Sequence, residues 1–562
     1  MTAATESRPQ EGFPKPATKL KRHLGPVGLL FTAIGSIIGS GWLFGAYNAS
    51  QIAGPAAIFS WLIAGLMVLM IGLCYAELGP MFPISGGVVR YPHLVWGSFA
   101  SYSLGFITWV SSAAVPAIEV MGALTYATKY APFTIAQRVD NTTVHTLTPW
   151  GIVVAVVLMA VFVAINYYGV RLFAQINNVL VWWKLFIILL VIATFLIMAF
   201  GTTQMGTLNN FTSLGFAPSG TAAIFTCIAT AGITFSFLGF RQGIELAGET
   251  SNPKRNIPFA IIGSVGITAV IYALLQVAFT MGIPEHVLQS SGSWSHLSFT
   301  NDFGPLAALA TTGGLAWLAY LLYADAIISP TDTGLIYTTI AARVSYAQGR
   351  NGNAPQWLAR TNKHGVPHWS LFLTFLVGLV MFLPFPSWQQ LVGFITSATV
   401  LSFGSGPLVV AALRRQMGGR VRPFRLPGGH TIPLIAFYCA NLIVFWGGWG
   451  TNSKMFITIL LGYLVLVLFQ FTGDRRSKPK LDFKAGAAWL LPWLVMVGFQ
   501  SWLMDPASHP RLFWWAFLTN AAITVVVFVL ALNSHLPLAK VQQYIDDAEE
   551  ESREEEGEEL AI

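Results

Sequence analysis

The sequence predicts an all-α integral membrane protein, and three observations predict it. Of 562 residues, 54% are hydrophobic and 10% charged, against about 25% charged in an ordinary soluble domain. The apolar residues gather in long runs without strict alternation, which in lipid means helices that satisfy their own backbone hydrogen bonds. Aromatic residues make up 13%, including 19 Trp, as suits a chain with two long membrane interfaces.

The runs, bounded by Gly, Pro and charge clusters, fall at about 26–46, 54–79, 98–128, 149–169, 177–200, 221–250, 257–282, 306–342, 368–385, 389–413, 432–450, 455–472, 486–503 and 512–533, which makes fourteen candidate spans. Charge asymmetry supports an even count. With the N-terminus inside, the cytoplasmic side holds Lys15, Lys19, Lys21, Arg22, the cluster Arg414, Arg415, Arg420, Arg422, Arg425 and the cluster Arg475, Arg476, Lys478, Lys480, Lys484. The opposite side holds Lys129, Arg138, Lys454 and Arg511, a strong positive-inside bias. The pI of 9.2 therefore reads as membrane topology and not as nucleic-acid binding. Cys74, Cys227 and Cys439 lie in apolar runs without metal or disulfide spacing. Residues 1–25 are too polar for a signal peptide. The segment from Asp546 to Ile562 carries ten carboxylates and one arginine and reads as a solvated, disordered or loosely helical tail.

Two spans contain sequence that a continuous helix avoids. The first reads Ala33-Ile34-Gly35-Ser36-Ile37-Ile38-Gly39-Ser40-Gly41-Trp42. The sixth reads Thr234-Phe235-Ser236-Phe237-Leu238-Gly239-Phe240-Arg241-Gln242-Gly243. These occupy matching places in two five-helix halves, the sequence pointer to an inverted-repeat transporter with a midplane site. The bland alternative is glycine for close helix packing. The predicted organisation is a cytoplasmic segment 1–25, repeats over 26–200 and 221–415, four additional helices over 432–533 and a cytoplasmic tail 534–562.

Several strings then carry a family resemblance. Gly39-Ser40-Gly41 resembles the broken-helix motif of the amino acid–polyamine–organocation superfamily. So do Tyr75-Ala76-Glu77-Leu78 with Pro83-Ile84-Ser85-Gly86-Gly87, and Asn166-Tyr167-Tyr168-Gly169-Val170-Arg171. Glu249-Thr250-Ser251-Asn252-Pro253-Lys254-Arg255-Asn256-Ile257-Pro258 resembles its E-x-x-N-P-x-R-x-I-P pattern, and Arg343 to Pro367 its eighth-to-ninth helix loop. The resemblance spans roughly 20–415, and a fourteen-helix form resembles the subset that includes proton-coupled aspartate permeases. It implies an amino acid substrate, a 5+5 core with broken first and sixth helices, and no cofactor beyond a coupling proton.

An amino acid brings a carboxylate and an ammonium out of water, and unwound backbone supplies partners for both. N–H groups near Gly39, Ser40 and Gly41 suit the carboxylate. Carbonyls around Ile37, Phe235 and Ser236 suit the ammonium, with glycines such as Gly239 allowing close approach. Phe235, Phe237 and Phe240 supply an apolar wall or ordinary core. Ionisable residues within spans are functional candidates by default: Glu119, Lys184, Arg241 and Asp325. An amine in apolar surroundings is disfavoured in its charged form, so Lys184 reads as a proton switch. The resemblance implies the same, since proton-coupled members carry a lysine at the matching place. The alternative is a permanently charged lysine tying the first and eighth helices together. Arg241 stands where relatives more often carry a neutral or acidic residue. Left unpaired it favours an acidic side chain and repels cations; Glu245 or Asp325 would instead neutralise it. Glu119 follows Pro116 in the third span, Ser329, Thr331 and Thr333 offer hydroxyls to the first helix, and Glu77 and Glu249 read as latches at cytoplasmic helix ends.

The reading is a secondary transporter in a bacterial-type inner membrane, both termini cytoplasmic. It imports amino acids by proton symport, with aspartate or glutamate as substrate. A neutral substrate or amino acid exchange stays open, as does the oligomeric state. None of the ten histidines falls in a catalytic or metal motif, so the chain is not expected to be an enzyme.

Overall fold

A computed structural model describes residues 24–84, 86–139, 142–168, 170–201, 207–247, 250–299, 303–472 and 481–557. The basic N-terminal segment, Ser85, Gly169, Glu249 and the basic residues 475–480 lie outside the described residues, as does the side chain of Arg171.

The chain runs α1 (Pro26–Ile37), α2 (Gly41–Ala53), α3 (Ala57–Met81), α4 (Gly87–Trp96), α5 (Ser98–Ala127), a hairpin of β1 (Thr134–Val139) and β2 (Thr142–Leu147), α6 (Pro149–Tyr167), α7 (Val170–Gly201) and α8 (Thr221–Thr230). A 3-10 segment, Phe235–Arg241, leads into α9 (Gln242–Glu245), α10 (Pro253–Gly282), α11 (Glu285–Ser291), α12 (Pro305–Thr312), α13 (Ala316–Arg350), α14 (His368–Met381), α15 (Trp388–Phe403) and α16 (Ser405–Gln416). Then come α17 (Thr431–Trp446), α18 (Trp449–Thr472), α19 (Phe483–Gly486), α20 (Leu490–Leu503), α21 (Phe513–Asn533) and α22 (Leu538–Gly557). Proline stands in the first turn of α1, α6 and α10, where its missing N–H breaks no helical bond. Among the described residues, eight helical segments are long and apolar enough to cross a membrane, nine if the bent pair around Phe235 counts as one. This is a multi-pass, all-α membrane protein with one small hairpin.

Both glycine-bearing segments are interrupted. Helix α1 stops at Ile37, and α2 starts at Gly41. In the sixth span the helix ends at Thr230, ahead of the string singled out from sequence, and the two halves meet at 50°. The string itself winds tightly as the 3-10 segment and the single turn of α9. Two glycines are sterically required here. Gly232 has φ +87° and faces the Trp388 ring, and a Cβ on Gly239 would run into the Ser36–Ile37 peptide. The two interruptions therefore touch, backbone to backbone.

Around this contact the scaffold is dense. Helices α5 and α13 pack along much of their length, as do α3 and α10, and α15 packs on α5. Helices α7, α18 and α21 turn large apolar side chains outward, among them Phe200, Leu464 and Leu518, as lipid-facing helices do. Two features depart from the sequence reading. β1 and β2 pair as an antiparallel hairpin, favoured by β-branched residues such as Thr134, Ile135, Val139, Thr142, Thr143, Val144 and Thr146. The tail is helical to Gly557, within the sequence reading, but its first turns are docked and not solvated: Val541 and Ile545 are buried, Lys540 Nζ lies 2.6 Å from Asp482 Oδ1, and the Tyr544 ring lies 4.6 Å from that of His93 on α4.

Candidate functional site

The break in the first span leaves the amide of Ser40 at the start of α2, where the helix dipole favours an anion. An anion is there. Ser40 N donates to Glu119 Oε2 at 2.7 Å. Glu119 comes from α5, is buried, and its Oε1 has no hydrogen-bond partner. Gly39 permits this approach, because a Cβ there would lie 2.7 Å from Glu119 Oε1 and 2.9 Å from Thr333 Cγ2. The carbonyl of Ile37, expected to face an ammonium, instead accepts from Tyr272 Oη at 3.2 Å and from Gly39 N at 3.1 Å.

Just below, Lys184 of α7 reaches the same break. Its Nζ lies 2.8 Å from Gly35 O, 3.1 Å from Thr333 Oγ1 and 2.7 Å from Asp332 Oδ2. Two of the ammonium's three donors make hydrogen bonds, to Gly35 O and Thr333 Oγ1, and the Asp332 carboxylate faces the charge as an ion pair. Thr333 Oγ1 also lies 3.0 Å from Gly35 O and 3.2 Å from Ile38 O. This knot ties α1, α7 and α13 together. Sequence reasoning named Lys184 and Thr333 but missed Asp332. The available signal was spacing: Asp332 lies two helical turns past Asp325 on the same apolar helix. Asp325 is held elsewhere, its Oδ1 accepting from Trp183 Nε1 at 2.9 Å and Ser329 Oγ at 2.7 Å. Ser329 thus serves Asp325 and not the first helix, and Asp325 is not shown pairing with Arg241.

The interruption in the sixth span supplies the other wall. Phe235 lies 6.2 Å from the Trp388 ring, which also packs 4.9 Å from Phe44 and donates from Nε1 to Ser40 Oγ at 2.9 Å. Trp388 opens α15, and no periodicity in the sequence marks it. Ser236 Oγ bonds back to Gly232 O at 2.8 Å and sits against Gly41. Phe237 packs on Trp61 and Tyr272, and Phe240 on Phe403, so these two rings belong to the core.

Arg241 ends the 3-10 segment and is fully buried. Its Nη2 donates to Ser112 Oγ at 2.5 Å, and its guanidinium lies 5.6 Å from the Tyr337 ring and 5.9 Å from the Phe403 ring. Nε and Nη1 have no hydrogen-bond partner. Neither carboxylate oxygen of Glu245 has one either, although it is fully buried one turn on. No ion pair joins the two among the described residues. At the far end of α3, Glu77 accepts from Arg414 Nε at 2.9 Å and Leu426 N at 2.8 Å, and pairs with Arg422 at 3.2 Å.

A sequence profile describing amino acid permeases matches residues 24–530. A glutamate/serine transporter of Bacillus subtilis (strain 168) is 34% identical over 539 residues, covering 95% of this chain and 96% of the relative. An aspartate-proton symporter of the same organism is 34% identical over 476 residues, covering 84% and 89%. A branched-chain amino acid permease, also of that organism, is 26% identical over 460 residues, covering 80% and 93%. The profile match runs through the last four apolar helices, beyond residue 415 where the sequence motifs end.

Proposed function

Because the chain belongs to the amino acid permease family, it is an amino acid transporter and not an enzyme, and we propose that it imports aspartate or glutamate by proton symport. One observation carries the substrate class. Arg241 is a buried guanidinium with two nitrogens unanswered, aromatic faces around it and a single hydroxyl as partner. Arginine stays charged and binds carboxylates bidentately. A buried charge without its counter-ion is expensive, so an acidic side chain gains most by arriving here. The named specificities of the two 34% relatives point the same way.

In this reading the substrate's α-carboxylate takes the amides at the start of α2, at Ser40 and Gly41, and its side-chain carboxylate takes Arg241. Glu119 now holds the Ser40 amide, so a proton on Glu119 clears that position for the substrate. Lys184 with Asp332 forms the second half of the coupling site, where a proton changes how firmly α1 is tied to α7 and α13. Phe235 and Trp388 form the outer wall. The span count is fourteen, with α1–α2 and α8–α9 as the broken first and sixth helices of a 5+5 core. The four additional helices are α17, α18, α20 and α21. Both termini are cytoplasmic in an inner membrane, and one bundle rocks against a scaffold to alternate access.

A second reading, a neutral amino acid carried by symport or exchange, is favoured by serine in the name of one relative. Labelled L-aspartate uptake into proteoliposomes, with and without an inward proton gradient, separates the two. Gradient-driven aspartate accumulation that Arg241→Ala loses, with serine uptake kept, is the expected result. A wild type that ignores aspartate and accumulates serine would overturn the acidic reading.

A further inference from the structure

We propose that Glu245 is the internal partner that Arg241 takes up when it releases its substrate, so that the two residues act as a split ion pair that speeds unloading of an acidic side chain. The inference rests on the acidic-substrate reading above and assigns a role to a residue outside the substrate contacts.

A census of buried carboxylates on the described spans carries it. Glu77 is held by Arg414, Arg422 and the Leu426 amide. Glu119 is held by the Ser40 amide, Asp325 by Trp183 and Ser329, and Asp332 by Lys184. Neither oxygen of Glu245 or of Asp332 makes a hydrogen bond, but Asp332 lies 2.7 Å from Lys184 Nζ. Among these carboxylates Glu245 is therefore the one shown with neither a hydrogen bond nor an ion pair. Of the two buried cations beside the interruptions, Lys184 has two hydrogen bonds and an ion pair, whereas Arg241 keeps two nitrogens without a hydrogen bond. An unmatched guanidinium and an unmatched carboxyl group thus sit four residues apart, where the 3-10 segment runs into α9.

Geometry makes the exchange local. From Arg241 onward the chain is helical through Glu245, and residues four apart on a helix face one another at about 5–6 Å between Cβ atoms. Rotation of side chains alone brings them together. A carrier that has delivered its substrate must return with Arg241 still buried, and a buried unpaired charge is disfavoured by several kcal/mol. Pairing with Glu245 removes that penalty from the return step. While Arg241 holds substrate, Glu245 still feels a second cation, Arg343 of α13, which faces it alongside Arg241.

The test compares two fluxes of L-aspartate in proteoliposomes of the full chain. Exchange of external labelled against internal unlabelled aspartate never needs the unloaded return; net gradient-driven uptake does. Glu245→Gln is expected to keep exchange while net uptake falls about tenfold, the worth of one charge-assisted hydrogen bond, with KM for aspartate falling in step. Glu245→Asp is expected to restore net uptake. If Glu245→Gln does not fold, Arg241→Gln/Glu245→Gln serves, since it leaves no orphaned charge; with asparagine as substrate its ratio of net to exchange flux should match that of Arg241→Ala. Net uptake and exchange falling together in folded Glu245→Gln, or neither changing, would overturn the split pair alone. So would a double variant whose net flux stays selectively slow. Wild type carrying no aspartate in either mode would overturn the acidic reading and this inference with it.

Discussion

Lys184 and Arg241 are both buried cations beside a helix interruption, and their surroundings differ in kind. Lys184 has two hydrogen bonds and a carboxylate counter-ion, from α1 and α13. Arg241 has one hydroxyl, two aromatic faces and two idle nitrogens. In a low-dielectric interior a completed polar cluster stiffens what it joins, and an incomplete one gains from any ligand that completes it. The first cation therefore belongs to the machinery that ties helices together. Under the proposed acidic substrate, the second is the one that a carboxylate completes.

The comparison breaks most sharply at Lys184. Lys184→Met leaves Asp332 buried without its partner, a loss of about 3–5 kcal/mol, whereas Lys184→Met/Asp332→Asn removes both charges and is expected to recover much of it. Thermal melting in detergent reads this directly. A single variant as stable as wild type would mean that the pair is not closed. Arg241→Ala removes less structure and more selectivity. Its aspartate-to-serine uptake ratio should fall about 10–100-fold, the worth of charge-assisted hydrogen bonds, with a smaller melting shift than at Lys184.

Gly239→Ala sharpens the point that the two interruptions are one site. Its Cβ would meet the Ser36–Ile37 peptide, an overpacking of about 1–3 kcal/mol, and uptake of every substrate should fall together. Selective loss of one substrate would contradict the backbone contact. The smallest effect lies outside the membrane, where burial, with help from Arg90 and Lys540, pushes the His93 imidazole down to about 3. A neutral His93 favours the docked tail at pH above its ordinary 6.5. That contribution fades as pH falls from there toward 3, because the released form binds the proton more readily. Proteolysis of the tail should therefore rise on acidification, and His93→Phe should flatten the trend.

The multi-pass helical character was legible because Gly, Pro and charge punctuate apolar runs in one dimension, and eight of the described segments, nine with the bent pair, are long and apolar enough to cross a membrane. The interruptions were legible too, since glycines cluster at matching places in two spans, as Gly39, Gly41 and Gly239 do, although close helix packing alone could also have placed them. What the sequence could not carry was pairing between helices distant in the chain. Nothing local to Asp332 says that Lys184 lies 2.7 Å away, or that Trp388 reaches Ser40 from α15. Glu119 was visible as a buried acid, but its hold on the Ser40 amide follows from how α5 crosses the break. The exact exit from the sixth helix also escaped: it ends at Thr230, and the chain turns at Gly232, whose positive φ and closeness to the Trp388 ring leave no room for a side chain. The docked turns of α22 were hidden for a different reason: acidic composition outweighed the sparse apolar stripe of Val541 and Ile545.

Aspartate and asparagine are nearly isosteric and differ by one ionised carboxylate, so their uptake ratio isolates what Arg241 reads. The account predicts that wild type prefers aspartate and that Arg241→Gln, which keeps polarity and removes the charge, collapses the preference by about tenfold or more while asparagine uptake persists. A preference for aspartate that survives Arg241→Gln in an active, folded carrier would contradict it.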